Sequence, residues 1–273
     1  MTIEEAIVYG KKYVHSIDAK MLISNVTGID TLDLINHLHD YLTSEEEKKY
    51  RDLINKKIND KPIQYITNSV NFYGLPLYVD ENVLIPRFET EELVDNTIKY
   101  LNSMFDCPKV LDLCCGSGAI GLAIKSRINN SDISMSDISK EALVVAEKNK
   151  EDLNLSCNII ESDLFSNINN KFDCIISNPP YIKDDEEIED IVRNNEPHLA
   201  LFAGPDGLDY YERILKDISK YLNDKYLIAF EIGATQKDDV INIANKYLND
   251  IEVICKKDLS NRDRMIFITN KKE

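Results

Sequence analysis

The 273-residue sequence lacks both a long apolar run and a leader-like N-terminus. No stretch approaches the roughly 20 apolar residues that a membrane-spanning helix needs. The first residues, MTIEEAIVYGKKYVHS, carry neither a basic flank nor a long apolar core, so we expect no secretory signal. We therefore predict a cytoplasmic protein that has no membrane partner.

Cysteine pairs of the metal-binding or redox type are also missing. The six cysteines form no Cys-x-x-Cys pair, although Cys114 and Cys115 are adjacent. Without a secretory signal, this usage predicts reduced thiols. The close histidine pair, His37 and His39, has no cysteine near it in sequence, so we expect no metal site.

Positive charge is scarce. The chain has 32 Lys and Arg residues against 48 Asp and Glu residues, for a net charge of −16. Such an acidic chain is poorly suited to binding phosphate backbones nonspecifically, although a local basic patch stays compatible with it. We predict no stable nucleic-acid partner, and we expect a monomer.

The residue pattern divides the chain into three regions. Residues 1–69 place apolar residues at helical spacing and predict a small all-α domain, which either docks a partner or is a passive extension. Residues 70–88 are rich in β-branched and aromatic residues and contain turn signals at Gly74-Leu75-Pro76 and Asp80-Glu81-Asn82, which predicts a β-hairpin linker. Residues 89–273 form the third and largest region.

Strands and helices alternate from about residue 108 onward. Five strand-like segments are followed by two that we expect to pair antiparallel; in order they are KVLDLCC, DISMSD, CNIIES, FDCIISN, YLIAFEI, IEVICK and RMIFIT. Repeated βα units predict an α/β fold with a mostly parallel, doubly wound sheet and right-handed crossovers.

A glycine loop, VLDLCCGSGAIG, joins the first of these strands to the first helix. Gly116 and Gly118 allow a tight turn and leave room for a ligand at the helix N-terminus. Together with Gly121 they also fit the dinucleotide fingerprint. Asp137 follows about 20 residues later, at the end of the second strand, where a carboxylate meets ribose hydroxyls. This pattern predicts a cofactor that contains adenosine.

Asp112 favours one kind of adenosine cofactor. A pyrophosphate cofactor favours backbone N–H groups, whereas a sulfonium cofactor with a free ammonium favours a nearby carboxylate. The pattern D-x-C-x-G-x-G resembles the first motif of class I S-adenosylmethionine methyltransferases, with Cys114 in place of the usual first glycine. If that position requires a positive φ, the cysteine costs about 1–2 kcal/mol.

The fourth strand ends abruptly in Asn178, Pro179, Pro180 and Tyr181. Ligands of a doubly wound sheet lie beyond the carboxyl ends of the strands, where the strand order reverses, so Asn178 should face the glycine loop. The prolines stiffen the segment and supply carbonyls without competing N–H donors. We therefore predict that the Asn178 side-chain oxygen and the Pro179 carbonyl form a rigid pair of acceptors for a planar NH₂ group. Tyr181 offers a ring on which a flat substrate can stack.

A planar amide or aryl amine is a weak nucleophile, because its lone pair is delocalised. The site must therefore hold the nitrogen in line with the methyl–sulfur bond and polarise its N–H bonds. Such positioning can contribute roughly 7–11 kcal/mol, more than one hydrogen bond at about 1 kcal/mol net.

Nine sequence blocks in order resemble the HemK/PrmC family, the N5-glutamine methyltransferases of peptide chain release factors. They are PIQYITNSVNFYG, VLIPRFETEELV, DLCCGSGAIGLAI, SDIS, SDLF, SNPPYI, EPHLALFAGPDGLDYYERI, EIGATQ and DLSNRDRMIF. The resemblance spans nearly the whole chain.

The resemblance implies a class I S-adenosylmethionine-dependent methyltransferase. Residues 1–69 would dock the substrate, residues 70–88 would be the linker, and residues 89–273 would form a seven-stranded catalytic domain. The substrate would be the glutamine of the GGQ motif in class-1 release factors, and S-adenosylhomocysteine would be the second product.

The resemblance also implies residue roles. Asn178, Pro179, Pro180 and Tyr181 would hold the glutamine. Asp163 and Leu164 would flank the adenine. The remaining cofactor contacts would come from Asp112, Cys114, Cys115, Gly116, Ser117, Gly118, Asp137 and Asn178.

Four other functions remain open at this point. An adenine-N6 nucleic-acid methyltransferase would use the same Asn-Pro-Pro-Tyr motif on a flipped base, but the charge and the lack of an evident target-recognition domain disfavour it. A ribosomal-protein glutamine methyltransferase shares the motif, but ETEELV at 89–94 favours the release-factor branch. A nicotinamide-dependent oxidoreductase leaves the motif without a purpose, and the intact motif disfavours a catalytically silent adapter.

Several other residues keep two interpretations each. Glu196 with Pro197 either organises the loop over the site or forms a plain turn. Glu231 either orients that loop or solvates the sheet edge. Arg262 and Arg264 either pair with local acids or contact the partner.

Overall fold

The computed structural model describes residues 1–271, which divide into two units. The helical unit comprises Met1–Ser69 together with Glu189–Asn195, and the sheet unit comprises the rest of the described chain. The sequence places 189–195 in the catalytic domain, whereas these residues group with the helical unit. The roles of the domains in docking and catalysis stay predictions.

The helices and strands alternate much as the residue pattern indicates. In chain order the helices are α1 (Ile3–Gly10), α2 (Ser16–Thr27), α3 (Ser44–Ile58), α4 (Ile63–Thr67), α5 (Phe88–Met104), α6 (Ala119–Arg127), α7 (Lys140–Asp152), α8 (Asp190–Asn195), α9 (Asp209–Asp217) and α10 (Lys237–Tyr247). The strands are β1 (Val70–Phe72), β2 (Leu75–Leu77), β3 (Lys109–Leu113), β4 (Asp132–Asp137), β5 (Asn158–Glu161), β6 (Phe172–Ser177), β7 (Leu222–Glu231), β8 (Ile251–Lys257) and β9 (Asp263–Asn270). Within residues 1–271, no helix has both the length and the apolar character needed to span a membrane.

Helix α3 shows how local sequence sets the helical unit. Thr43 Oγ1 accepts from Glu46 N at 3.2 Å, and Glu46 Oε2 accepts from Thr43 N at 2.8 Å, which together form a capping box. The helix then buries Tyr50, Leu53 and Ile54 in the core that it shares with α1 and α2. The residue pattern predicts this helix from a cap at Thr43 to about Ile58, and the structure has the same cap and the same last residue.

The hairpin of β1 and β2 turns one position earlier than the sequence suggests. Tyr73 and Gly74 have φ values of 53° and 79°, the two positive values that a two-residue type I′ turn requires. Leu75 and Pro76, which we predict in the turn, lie instead in β2. Proline is tolerated there because a two-stranded ribbon consists of edge strands.

The seven-stranded sheet has the order β5-β4-β3-β6-β7-β9-β8. Strands β3 to β7 pair in parallel, and β9 is antiparallel to both β7 and β8. The predicted doubly wound fold and the predicted closing antiparallel pair are therefore confirmed. The strand order reverses between β3 and β6, and a crevice forms at their carboxyl ends.

Alternate residues of the central strands face two cores. On β3, Val110 packs in the core covered by α5, α6 and α7, whereas Leu111 and Leu113 pack in the core covered by α9 and α10. Both faces of the sheet are thus buried, as expected for a parallel sheet. The residue pattern predicts one helix over 208–222. Helix α9 ends at Asp217 instead, because the chain then passes through a 3₁₀ turn at Ile218–Tyr221 and enters β7.

Candidate active site

A cavity in the sheet unit opens at the carboxyl ends of β3, β4 and β6. It holds about 870 Å³ when the space of its open mouth is included. Its lining consists of Asn82, Val83, Leu84, Pro86, Arg87, Thr90, Cys114, Cys115, Gly116, Ser117, Ala119, Ile120, Asp137, Ile138, Ser139, Ala142, Asn178, Pro180, Pro197, Leu199, Ala200 and Tyr210. The glycine loop and Asn178 thus share one cavity.

The glycine loop between β3 and α6 uses three left-handed residues. Cys114, Gly116 and Gly118 have φ values of 62°, 52° and 79°. A Cβ atom added at Gly116 would meet no atom within 4 Å, so this glycine leaves open space at the cavity wall. The position of Cys114 does require a positive φ, so the cysteine carries the strain that the sequence predicts.

Gly118 and Gly121 have a packing role. A Cβ atom at Gly121 would lie 2.7 Å from Met135 Cγ, and one at Gly118 would lie 3.2 Å from Met135 Sδ. Both glycines let α6 approach β4 closely. Neither lines the cavity.

Asp137 ends β4 and ties the loop to the sheet. Its Oδ2 accepts from Gly116 N and its Oδ1 accepts from Ser139 N, both at 2.9 Å. Burial raises the pKa of this carboxyl group above its usual value, and the backbone donors act in the opposite direction. Because each oxygen can accept a second bond, the carboxylate retains capacity for ligand hydroxyls.

Asp112 is fully buried and lies outside the cavity lining. Its Oδ2 accepts from Gly121 N at 2.8 Å, and its Oδ1 has no hydrogen-bond partner among the described residues. Burial raises the pKa of this group to about 7. Its predicted contact with the cofactor stays a prediction, and the hydrogen bond that the structure shows supports the start of α6.

Asn178 follows β6 and is connected to Thr90, which the sequence pattern does not single out, and through Thr90 to Glu231. Its Nδ2 donates to Thr90 Oγ1 at 3.3 Å, and Thr90 Oγ1 donates to Glu231 Oε2 at 2.6 Å. Tyr181 Oη donates to the other oxygen, Glu231 Oε1, at 3.3 Å. Glu231 is only 1% exposed, so it does not solvate a sheet edge. Its side-chain bonds go to Thr90 and Tyr181, and its predicted orientation of the loop at Glu196 and Pro197 stays a prediction.

Pro180 lines the cavity, whereas Pro179 and Tyr181 do not. Tyr181 packs against the core beside α9 and α10, and burial raises the pKa of its phenol. Its ring is thus held by protein contacts, and the predicted stacking on a substrate stays a prediction.

The backbone at Tyr181 is held by a glycine and a glutamine. Gln236 Nε2 donates to Tyr181 O at 2.9 Å and to Gly207 O at 3.1 Å. A Cβ atom at Gly207 would lie 2.4 Å from Tyr181 O, and this glycine has a φ of 74°. The backbone at the end of the Asn-Pro-Pro-Tyr segment is therefore held in one position.

Glu196 holds one wall of the cavity. It is 5% exposed; its Oε1 accepts from Arg87 Nη2 at 2.5 Å and its Oε2 accepts from Ile85 N at 3.2 Å. The following residues Pro197, Leu199 and Ala200 line the cavity. This geometry favours the loop-organising interpretation over a plain turn.

The two residues predicted to flank an adenine lie outside the lining. Asp163 is exposed and its Oδ1 accepts from Arg213 Nη2 at 2.7 Å, while Leu164 is buried in the core. Arg264 pairs with a local acid, Asp258, with Arg264 Nε 3.3 Å from Asp258 Oδ2. Arg262 also contacts Asp258, through its backbone N–H.

The lining suits an adenosine-type cofactor. Gly116 leaves open space, Asp137 offers carboxylate oxygens, and Ile138 and Ala142 offer apolar surface for a flat ring. Within residues 1–271, no group of three His, Cys, Asp or Glu residues is arranged to bind a metal ion.

Two family models match the chain. Residues 15–67 match the PrmC N-terminal domain, and residues 90–199 match the methyltransferase small domain. Among solved structures, a methyltransferase from Pyrococcus furiosus is 15% identical with a TM-score of 0.53, over 81% of this chain and 97% of that one. At this identity the likeness supports the fold alone.

Curated relatives match over most of their length. The release factor glutamine methyltransferase of Streptococcus pneumoniae is 41% identical over 86% of this chain and 85% of its own. That of Clostridium botulinum is 38% identical over 92% and 91%, and that of Bacillus subtilis is 34% identical over 97% and 96%. The chain therefore belongs to the release factor glutamine methyltransferase family.

Proposed function

We propose that this protein methylates the side-chain amide nitrogen, N5, of the GGQ glutamine in class-1 peptide chain release factors, with S-adenosylmethionine as the methyl donor. The observation that carries the proposal is the position of Asn178. This residue lines the same cavity as the glycine loop, and its NH₂ group is bonded to Thr90. This arrangement leaves Asn178 Oδ1 to accept a hydrogen bond from a substrate amide.

S-adenosylmethionine, when bound, supplies an electrophilic methyl group on a sulfonium sulfur. Asn178 Oδ1 accepts one N–H group of the glutamine amide from the cavity wall and helps to hold its nitrogen in line. The Pro179 carbonyl is the proposed acceptor of the second N–H group on the strength of the motif, although Pro179 itself lies outside the lining. As the nitrogen becomes tetrahedral, these acceptors draw its protons away and increase its nucleophilic character. No strong base is needed, because the released proton can pass to solvent. Catalysis is then chiefly positioning.

The cofactor would be held by the carboxyl ends of β3 and β4. Cys114, Cys115, Gly116 and Ser117 line the cavity, and Asp137, which also lines it, would accept hydrogen bonds from the ribose hydroxyls. Asp112 and Gly118 support this surface from outside the lining. Of the apolar residues, Ile138 and Ala142 are better placed to cover the adenine than Asp163 or Leu164, which do not line the cavity.

One assay separates the candidate substrates. The protein is incubated with methyl-labelled S-adenosylmethionine and one of four acceptors: an unmethylated release factor, the same factor with the GGQ glutamine replaced by asparagine, a ribosomal-protein mixture, or unmethylated DNA. We expect label on the first acceptor alone. Loss of label with asparagine also shows that glutamine is required at this position of the release factor.

Other outcomes would replace the proposal. Label on DNA alone would indicate an adenine-N6 methyltransferase, and label on ribosomal proteins alone would indicate the ribosomal-protein branch. Equal label on the two release factors would show that the modified residue is not the GGQ glutamine.

A further inference from the structure

Two successive side-chain hydrogen bonds, Asn178–Thr90 and Thr90–Glu231, join the proposed acceptor to a buried carboxylate. We infer that Thr90 and Glu231 are positioning residues that fix which end of the Asn178 amide faces the substrate. This inference rests on the proposed function, because it assigns no reaction of its own. Thr90 lies in the first turn of α5, and Glu231 ends β7.

The orientation follows from counting protons. The Thr90 hydroxyl has one proton, and it donates that proton to Glu231 Oε2 at 2.6 Å. Toward Asn178 it can only accept, so it must meet the NH₂ end of the amide, as the 3.3 Å contact with Asn178 Nδ2 shows. The oxygen and nitrogen of an asparagine amide are nearly equal in size, so shape alone would not prevent a flip.

The ionised carboxylate of Glu231 determines which group donates in each of these two hydrogen bonds. Its two oxygens accept hydrogen bonds from Thr90 Oγ1 and Tyr181 Oη. If it were protonated, it could donate to Thr90, whose own proton would then be available for Asn178 Oδ1. The amide would lose its preference for the productive orientation, and the glutamine would meet an NH₂ donor instead of an acceptor.

Charged and titratable groups surround Glu231 on several elements. Arg264 on β9 favours the carboxylate, and so do the hydroxyls of Thr90 and Tyr181. Glu89 on α5 disfavours it. Tyr211 on α9 donates to the backbone oxygen of Glu231 at 2.7 Å. Burial is the largest influence and raises the pKa of Glu231, so protonation on mild acidification should reduce transfer.

The first test replaces the hydroxyl of Thr90 and keeps its shape. Single-turnover methylation of an unmethylated release factor is measured at saturating cofactor for wild type, Thr90→Val, Thr90→Ser and Thr97→Val. Thr97 is the matched control, because it is buried on the same helix and donates only to Leu93 O. We expect about a tenfold loss for Thr90→Val, in line with one lost orienting hydrogen bond, recovery in Thr90→Ser, and no change in Thr97→Val.

Cofactor affinity separates positioning from unfolding. Thr90→Val should bind S-adenosylmethionine as wild type does, so that the loss lies in the transfer rate. A wild-type rate in Thr90→Val would overturn the inference, and so would a Thr90→Ser rate no higher than that of Thr90→Val.

The second test uses pH and does not depend on Thr90→Val folding. Wild-type transfer should fall as pH decreases through the raised pKa of Glu231. Glu231→Gln should transfer more slowly but should lack this acid loss. An acid loss of equal size in Glu231→Gln would overturn the inference, whereas a wild type that leaves the release factor unlabelled would overturn the proposed function as well.

Discussion

Gly116 N donates to Asp137 Oδ2 at 2.9 Å, which joins the loop after β3 to the end of β4. The same carboxylate accepts from Ser139 N at the start of α7. Asp137 thus does two things at once: it sets the shape of the cavity wall and presents oxygens to the cavity. Both properties should appear in cofactor binding.

Replacing Asp137 should weaken cofactor binding. Asp137→Ala removes the carboxylate from the cavity and leaves Gly116 N without its partner. We expect the Kd for S-adenosylmethionine to rise about 10- to 100-fold, since the loss of one hydrogen bond to a charged group costs about 1.5–3 kcal/mol. Isothermal titration calorimetry measures the change.

Asp132→Ala is the control for this prediction. Asp132 begins the same strand β4, at the end away from the cavity, and is exposed. Its replacement should leave the Kd unchanged. Equal affinities of the Asp137 and Asp132 variants would show that the carboxylate of Asp137 does not contact the cofactor.

Removing the proposed acceptor should stop transfer and spare cofactor binding. Asn178→Ala takes away the side-chain oxygen and leaves the glycine loop intact. We expect the transfer rate to fall at least 100-fold, about 3 kcal/mol in the barrier, comparable with the loss of one oxyanion-hole donor. The rate is measured in single turnover, and the cofactor Kd should stay within about twofold of wild type.

The exposed Asn71→Ala on β1 serves as the control. It should transfer at the wild-type rate. Turnover by Asn178→Ala close to that of Asn71→Ala would remove Asn178 from its assigned role.

The sequence is enough to predict the strand order and to place the glycine loop next to Asn178, because both follow from local residue patterns. Five strands with repeated βα units fix the reversal between β3 and β6, and the carboxyl ends of those strands must then be neighbours. The residue pattern alone therefore identifies Gly116, Asp137 and Asn178 as neighbours.

The Thr90–Glu231 contact could not be predicted in this way. The two residues are 141 positions apart, and their hydrogen bond depends on how α5 packs against the end of β7. Thr90 looks like an ordinary residue of a helix start, and Glu231 looks like a strand-end acid. Asn149 is a similar case: it is buried on α7 and donates to both Tyr78 O and Ser117 O at 3.0 Å.

Because the backbone at Cys114 is left-handed, replacement by glycine should give a more stable protein than replacement by alanine, the reverse of the usual order. With φ at 62°, a side chain at this position carries about 1–2 kcal/mol of strain, which glycine avoids. We expect Cys114→Gly to be more stable than Cys114→Ala by about 1 kcal/mol after the roughly 0.5–1 kcal/mol entropic cost of glycine is subtracted. Urea unfolding measures the difference.

Cys174 provides the comparison, because it is buried in β6 and has no positive φ. There Cys174→Ala should be more stable than Cys174→Gly. If alanine is the more stable replacement at both positions, the strain at Cys114 is smaller than its backbone angle implies.

Asp112 should make stability depend on pH. Burial raises its pKa from 3.8 to about 7 in the folded protein. The folded state therefore binds the proton more tightly than the unfolded state does, so stability decreases as pH rises from about 4 to about 7. Relative to Asp112→Asn, which cannot titrate, the wild type should lose up to ~4 kcal/mol of unfolding free energy over that range.

The measurement compares urea unfolding of the two cofactor-free proteins at pH 5 and pH 8. Asp137 and Glu231 also have raised pKa values, but they are present in both proteins, so their influence cancels in the difference. The wild type should be less stable relative to Asp112→Asn at pH 8 than at pH 5. A difference that does not change with pH would mean that Asp112 is already ionised at pH 5, and that the unpaired Oδ1 has a partner in solution.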